Sequence, residues 1–184
     1  MSRAAGFSGK INNRYAGNQS EDVQYRERSL LMSNWIAGEL EVNQERAIYP
    51  VLTLEEVLQS QWYSDYFTEI RDMNNGYVWY SFHNVPICSK LFSLALCFKN
   101  SVLDSVIMSI DDDQYGTSWD DWTEAKELQR KQEHDALLRQ ELEREPDVRR
   151  SKPYPYIEYK VAYGSISSSY DPRSASSSIS ITYT

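Results

Sequence analysis

Apolar and polar positions alternate most clearly over residues 91–110, LFSLALCFKNSVLDSVIMSI. Phe92, Leu94, Leu96 and Phe98 stand two apart, and so do Val106, Met108 and Ile110. A period of two places each set on one face of a strand. Residues 99–104 (KNSVLD) have polar turn formers at both ends, which predicts an antiparallel hairpin. Each large side chain that it buries stabilises by roughly 1.5–3 kcal/mol before chain entropy is counted. This hairpin is therefore the expected centre of the core.

Other segments follow the same logic. Ser33 or Asn34 as N-cap, with Trp35, Ile36 and Leu40 on an apolar side, predicts a short helix over 33–42. Thr53 followed by Glu56 is a capping-box pattern that opens a second helix, leading into an aromatic-rich stretch through Trp62, Tyr63, Tyr66 and Phe67 that is helical or irregular. Asn74-Asn75-Gly76 is a turn, because these residues accept positive φ. In the strand that follows, 77–83, Val78, Tyr80 and Phe82 face one side and Tyr77, Trp79 and His83 the other. Pro86 predicts an edge or a break. A long helix is expected over 119–143, capped by Ser118 and docked through Trp119 and Trp122. Residues 129–135 are all polar, so its middle should be solvated. Pro146 ends it, and 147–152 reads as a basic linker. The final strand pair alternates through Ile157, Tyr159, Val161 and Tyr163, then Ile179, Ile181 and Tyr183. Its serines face solvent or pair across strands.

The resulting fold class is α+β: an antiparallel β-sheet carrying one long amphipathic helix and short N-terminal helices. The second face of that sheet should hold Leu91, Ala95, Cys97, Ile107, Tyr77 and Trp79, which is not a polar set. Large exposed apolar patches are uncommon in monomers, so the expected cover is the protein's own helices, with a partner as the alternative.

Composition divides the chain. Residues 1–28 lack a period and hold five basic residues against three acids, a net of +2 within a total of −8. They read as a flexible tail. Codons for residues 27–32 can also spell a bacterial ribosome-binding site and start codon, so 1–31 is a flexible tail or a mis-assigned start, and 32–184 a single domain. The acidic balance argues against phosphate-driven nucleic-acid binding. No apolar run reaches the roughly eighteen residues of a membrane span, and the N-terminus has no signal-peptide core, so a cytoplasmic protein is expected. Cys88 and Cys97 make neither a disulfide framework nor a metal cluster and read as buried thiols.

Candidate chemistry is sparse. No zincin, P-loop, dinucleotide or nucleophile-elbow pattern occurs, and His83 and His134 read as surface or satisfied side chains. No catalytic residue, metal or cofactor is assigned. Asp147 with Glu158-Tyr159-Lys160 imitates the PD-(D/E)xK pattern of metal-dependent nucleases, but the residues after Asp147 are not an apolar strand. The acidic run is firmer. Between Lys99 and Lys126 there is no Lys or Arg, yet Asp111, Asp112, Asp113, Asp120, Asp121 and Glu124 are present. The last three suit a helix N-terminus. The first three have no evident structural duty and suit the docking of a basic protein. Their spacing does not match a Ca²⁺ loop.

Three stretches together (50–56, PVLTLEE; 118–124 running into 131–135; 164–168 through 170–174 to 179–183) resemble small bacterial immunity proteins of polymorphic or contact-dependent toxin systems over 32–184. The resemblance implies a non-enzymatic cytoplasmic inhibitor whose partner is a toxin domain. The expected contact residues are the six acids and, on the sheet face, Tyr77 and Trp79. The rival readings are the nuclease and a plain structural or ligand-binding domain. Oligomeric state is left open.

Overall fold

The computed structural model describes residues 33–115 and 120–184. The expectations for residues 1–31, Ser118 and Trp119 lie outside them. A 3-10 turn at Trp35–Ala37 leads into a small hairpin, β1 (Leu40–Val42) and β2 (Glu45–Ile48). Gly38, at φ +76°, ends the turn after three residues, so the helix expected over 33–42 does not form. Two one-and-a-half-turn helices follow, α1 (Leu54–Gln59) and α2 (Gln61–Tyr66). The capping box on α1 is present: Thr53 Oγ1 accepts from Glu56 N, and Glu56 Oε2 accepts from Thr53 N at 2.8 Å.

The rest is one eight-stranded antiparallel sheet and a third helix. The strands are β3 (Phe67–Asp72), β4 (Tyr77–Ile87), β5 (Lys90–Lys99), β6 (Val102–Ile110), β7 (Val148–Arg150), β8 (Tyr156–Val161), β9 (Gly164–Asp171) and β10 (Ser176–Tyr183). Their spatial order is β3-β4-β5-β6-β10-β9-β8-β7. Two four-stranded meanders thus meet back to back at β6 and β10. Each follows a helical segment: α1 and α2 precede β3, and α3 (Glu124–Leu142) precedes β7. The α+β class is confirmed at this level.

Several boundaries differ from the sequence reading. The turn expected over 99–104 is only Asn100-Ser101, both at positive φ, the geometry that matches strand twist in two-residue hairpins. A bulge opposite Cys97 and Phe98 then shifts the alternation, burying Leu103 and exposing Val102. Pro86 does not break its strand. It pairs with Leu91 beyond a bulge at His83 and Asn84 that returns Val85 and Ile87 to the core. The presumed linker contains β7, a three-residue edge strand. The long helix starts at Glu124, capped by Thr123, whose Oγ1 accepts from Lys126 N at 3.2 Å. Trp122 precedes this cap and is half-buried, so it lies outside the helix on which the sequence placed it.

All three helices rest on one face of the sheet. Trp62 and Tyr63 of α2 pack on Phe82 and Tyr80. Leu137, Leu138 and Leu142 of α3 join the same core as Ile179 and Ile181. Met108, Phe92, Leu96 and Tyr159 fill the floor beneath them.

Candidate functional site

The second face of the sheet carries no helix among the described residues, contrary to the cover expected above. Register defines its rows. One runs Arg71, Trp79, Cys97, Ser105, Thr182, Ser165 and Lys160 across seven strands. The next runs Glu69, Ser81, Ala95, Ile107, Ser180, Ser167 and Glu158. Small side chains occupy the middle, and aromatic and charged ones the rims. Ile107 is 40% exposed and Leu91 46%. Tyr77 and Trp79 are half-buried, and Lys99 lies over the Tyr77 ring at 5.2 Å. Cys97 is buried, with its thiol pushed up by burial.

The acidic residues fall into two groups. Asp111 follows β6 at the end of this face remote from Tyr77. Six residues of β5 separate Ser93 from Lys99, about 20 Å at strand rise. Asp111 Oδ2 accepts from Ser93 Oγ at 2.9 Å, and Ser93 Oγ lies 2.9 Å from His83 Nδ1. Asp112 accepts from Gln114 N at 3.0 Å and holds a 3-10 turn, Asp113–Tyr115. These two carboxylates therefore have structural duties that the sequence did not reveal. Of Asp111, Asp112 and Asp113, only Asp113 accepts no hydrogen bond from the described residues. Asp120, Asp121 and Glu124 are exposed around the start of α3. Asp121 pairs with Lys126. Trp122 Nε1 donates to Ala175 O at 2.8 Å, tying this segment to the β9–β10 turn. The Ser93, His83 and Asp111 cluster is not a nucleophile triad, since the hydroxyl stands between imidazole and carboxylate instead of the imidazole bridging the two.

Helix α3 holds what sequence reasoning missed. One face of its polar middle is buried: Glu127, Lys131 and His134 are each at most 3% exposed, while Gln129 and Gln132 face outward. The cause is a split in the sheet. Pairing between β6 and β10 runs from Ser105/Thr182 to Met108/Ile179 and stops. Beyond that point Ile110 N donates to His134 Nε2 at 3.0 Å, and Ser177 N and Oγ donate to Glu127 Oε2 at 2.9 and 3.1 Å. The helix thus supplies the acceptors that a partner strand would have supplied. Burial, with Arg130 and Lys131 nearby, depresses His134 to about 3. Burial also lowers Lys131, whose Nζ bonds Asp135 Oδ1 at 2.5 Å. At the far end of the helix face, Glu133 bonds both Lys90 and Tyr115. Burial pushes the Tyr115 hydroxyl well up, and the Glu133 carboxylate adds to this. For Glu133 itself the burial penalty is outweighed by these two donors, and its carboxyl is held below the usual range.

The nuclease-like pair is engaged elsewhere. Asp147 Oδ2 accepts from Lys160 N at 2.7 Å and Arg144 Nη1 at 2.9 Å, and Glu158 accepts from Tyr156 Oη at 2.6 Å. The backbone bond to Lys160 and the Arg144 guanidinium keep Asp147 below the usual carboxylate range. Among the described residues no three His, Cys, Asp or Glu side chains cluster as a metal site, and no helix is long and apolar enough to cross a membrane. No protein-family model, curated protein or solved structure matches the chain.

Proposed function

We propose that this chain is a non-enzymatic immunity protein that binds and neutralises a basic bacterial toxin domain. The observation that carries the reading is the broad sheet face that no helix among the described residues covers, apolar at Ile107 and Leu91 and flanked by acids at one end. Seven strands at about 4.8 Å spacing and six residues at about 3.3 Å rise give roughly 30 by 20 Å. With its acidic rim that area approaches the roughly 800 Å² per partner of a standard specific interface. The apolar centre supplies burial, and Asp111, Asp112 and Asp113 steer a basic partner toward it. Tyr77 and Trp79 act as aromatic anchors at the other end.

The test is protection and binding against the toxin domain encoded beside this gene. Co-expression should relieve its toxicity. Changing Asp111, Asp112 and Asp113 together to Asn should slow association about tenfold at low salt, with the difference shrinking at high salt. Trp79→Ala should instead speed dissociation. A neighbour that is harmless, or a toxin that this chain does not bind, overturns the reading. Unchanged rates for both variants with binding intact would move the interface off this face.

A further inference from the structure

The split between β6 and β10 also opens a cavity on the second face of the sheet, of about 270 Å³. Its lining includes Arg130, Ser81, Ser109, Ser178, Ala95 and Ile107. Arg130 comes from α3, on the opposite side of the sheet, and is held from two directions. Its Nη1 donates to Glu127 Oε1 at 3.0 Å, and its guanidinium carbon lies 4.9 Å over the Tyr115 ring. Glu127 is itself fixed by Ser177. The guanidinium is thus preorganised, with 14% of the side chain left exposed.

We propose that this cavity binds a small molecule through a carboxylate, with Arg130 as the anchor. The unspent groups that line it are donors. Arg130 Nη2 bonds none of the described residues, while its Nε, also without a partner, is shut off from the cavity. Nη2 carries two N–H donors, and a charge-assisted hydrogen bond from a guanidinium to a carboxylate is stronger than one between neutral groups. The side-chain hydroxyls of Ser81 and Ser178 likewise have no partner among the described residues. Competing acceptors are already occupied: no carboxylate lines the cavity, both Glu127 oxygens are engaged, and Asp111 is bonded to Ser93. Ala95 and Ile107 give a short apolar wall for a carbon chain. At about 30 Å³ per water the space equals roughly nine water molecules, room enough for a short dicarboxylate. This proposal does not rest on the toxin-binding reading.

The full chain is titrated calorimetrically with succinate at constant ionic strength, alongside succinamide and inorganic phosphate. Succinate should bind once per chain with a dissociation constant on the order of 1 mM, and succinamide should not bind measurably. Arg130→Gln should weaken succinate about ten- to a hundredfold, the range of a lost charge-assisted pair. Because Arg130 also contacts Glu127, a second variant guards against misfolding. Ser178→Val fills the cavity with a side chain that suits a strand, leaves Arg130 in place and should also abolish binding. The proposal is overturned by absence of saturable heat with succinate, by phosphate or the diamide binding as well as succinate, or by Ser178→Val binding like the parent. Failure of this site would leave protection against the toxin intact, so the two readings fall separately.

Discussion

Lowering the pH from 7 to 5 should destabilise the fold by about 2 kcal/mol through His134 alone. The imidazole is fully buried, and its Nε2 accepts the Ile110 N–H at 3.0 Å. The neutral ring must therefore carry its proton on Nδ1, an atom buried without a partner. Protonating Nε2 would turn the acceptor into a second donor facing the first. Burial and the adjacent Arg130 and Lys131 charges hold the folded-state pKa at about 3, against an ordinary 6.5. The unfolded chain takes up a proton below 6.5 while the folded chain does not. The contribution is therefore complete above that pH and falls by about 1.4 kcal/mol per unit toward 3. Other groups contribute differently over this window. Glu133 and Asp147, both held low, lose their contributions only at more acid pH. Glu141, raised by burial, acts in the opposite direction. His134→Gln isolates the histidine, since a Gln oxygen can accept from Ile110 and does not titrate. Urea unfolding of the full chain at pH 7, 6 and 5 should show the parent losing stability more steeply than the variant, by about 2 kcal/mol over the range. Equal slopes would refute a buried neutral His134.

Two further substitutions test the corrected packing by the same unfolding assay. Placed on the helix face, Trp122 would cost about 3–5 kcal/mol to truncate. Placed before the helix, half-buried and donating to Ala175 O, its truncation to Ala should cost less, about 1–2.5 kcal/mol, and a loss near 4 kcal/mol would return it to the core. Gly164 sits at φ +145°, and a Cβ there would lie 2.0 Å from the Thr182 carbonyl oxygen. Gly164→Ala should therefore cost at least about 2–3 kcal/mol, and a loss below about 1 kcal/mol would contradict the close approach of β9 and β10.

The strands around Phe92–Phe98 and Val106–Ile110, the alternation of Ile179 and Ile181, the Thr53 capping box and the α+β class were all legible along the chain, because period two and capping are local properties of backbone geometry. The serine face was legible in part, since Ser176, Ser178 and Ser180 keep the period. Bulges were not: one extra residue at Asn84 or Asp104 reverses every later assignment to a face without leaving a compositional mark. The polar middle of α3 was misread as solvated for a related reason. A sequence pattern treats Glu127, Lys131 and His134 as outward-facing because burying them alone would be costly. That cost is met only where other elements present unpaired groups, and those groups exist because β6 and β10 separate beyond Met108 and Ile179. The sequence by itself determined which residues could form strands and helices. Only the tertiary structure decided which face each one buries, because hydrogen-bond satisfaction depends on partners distant in the chain.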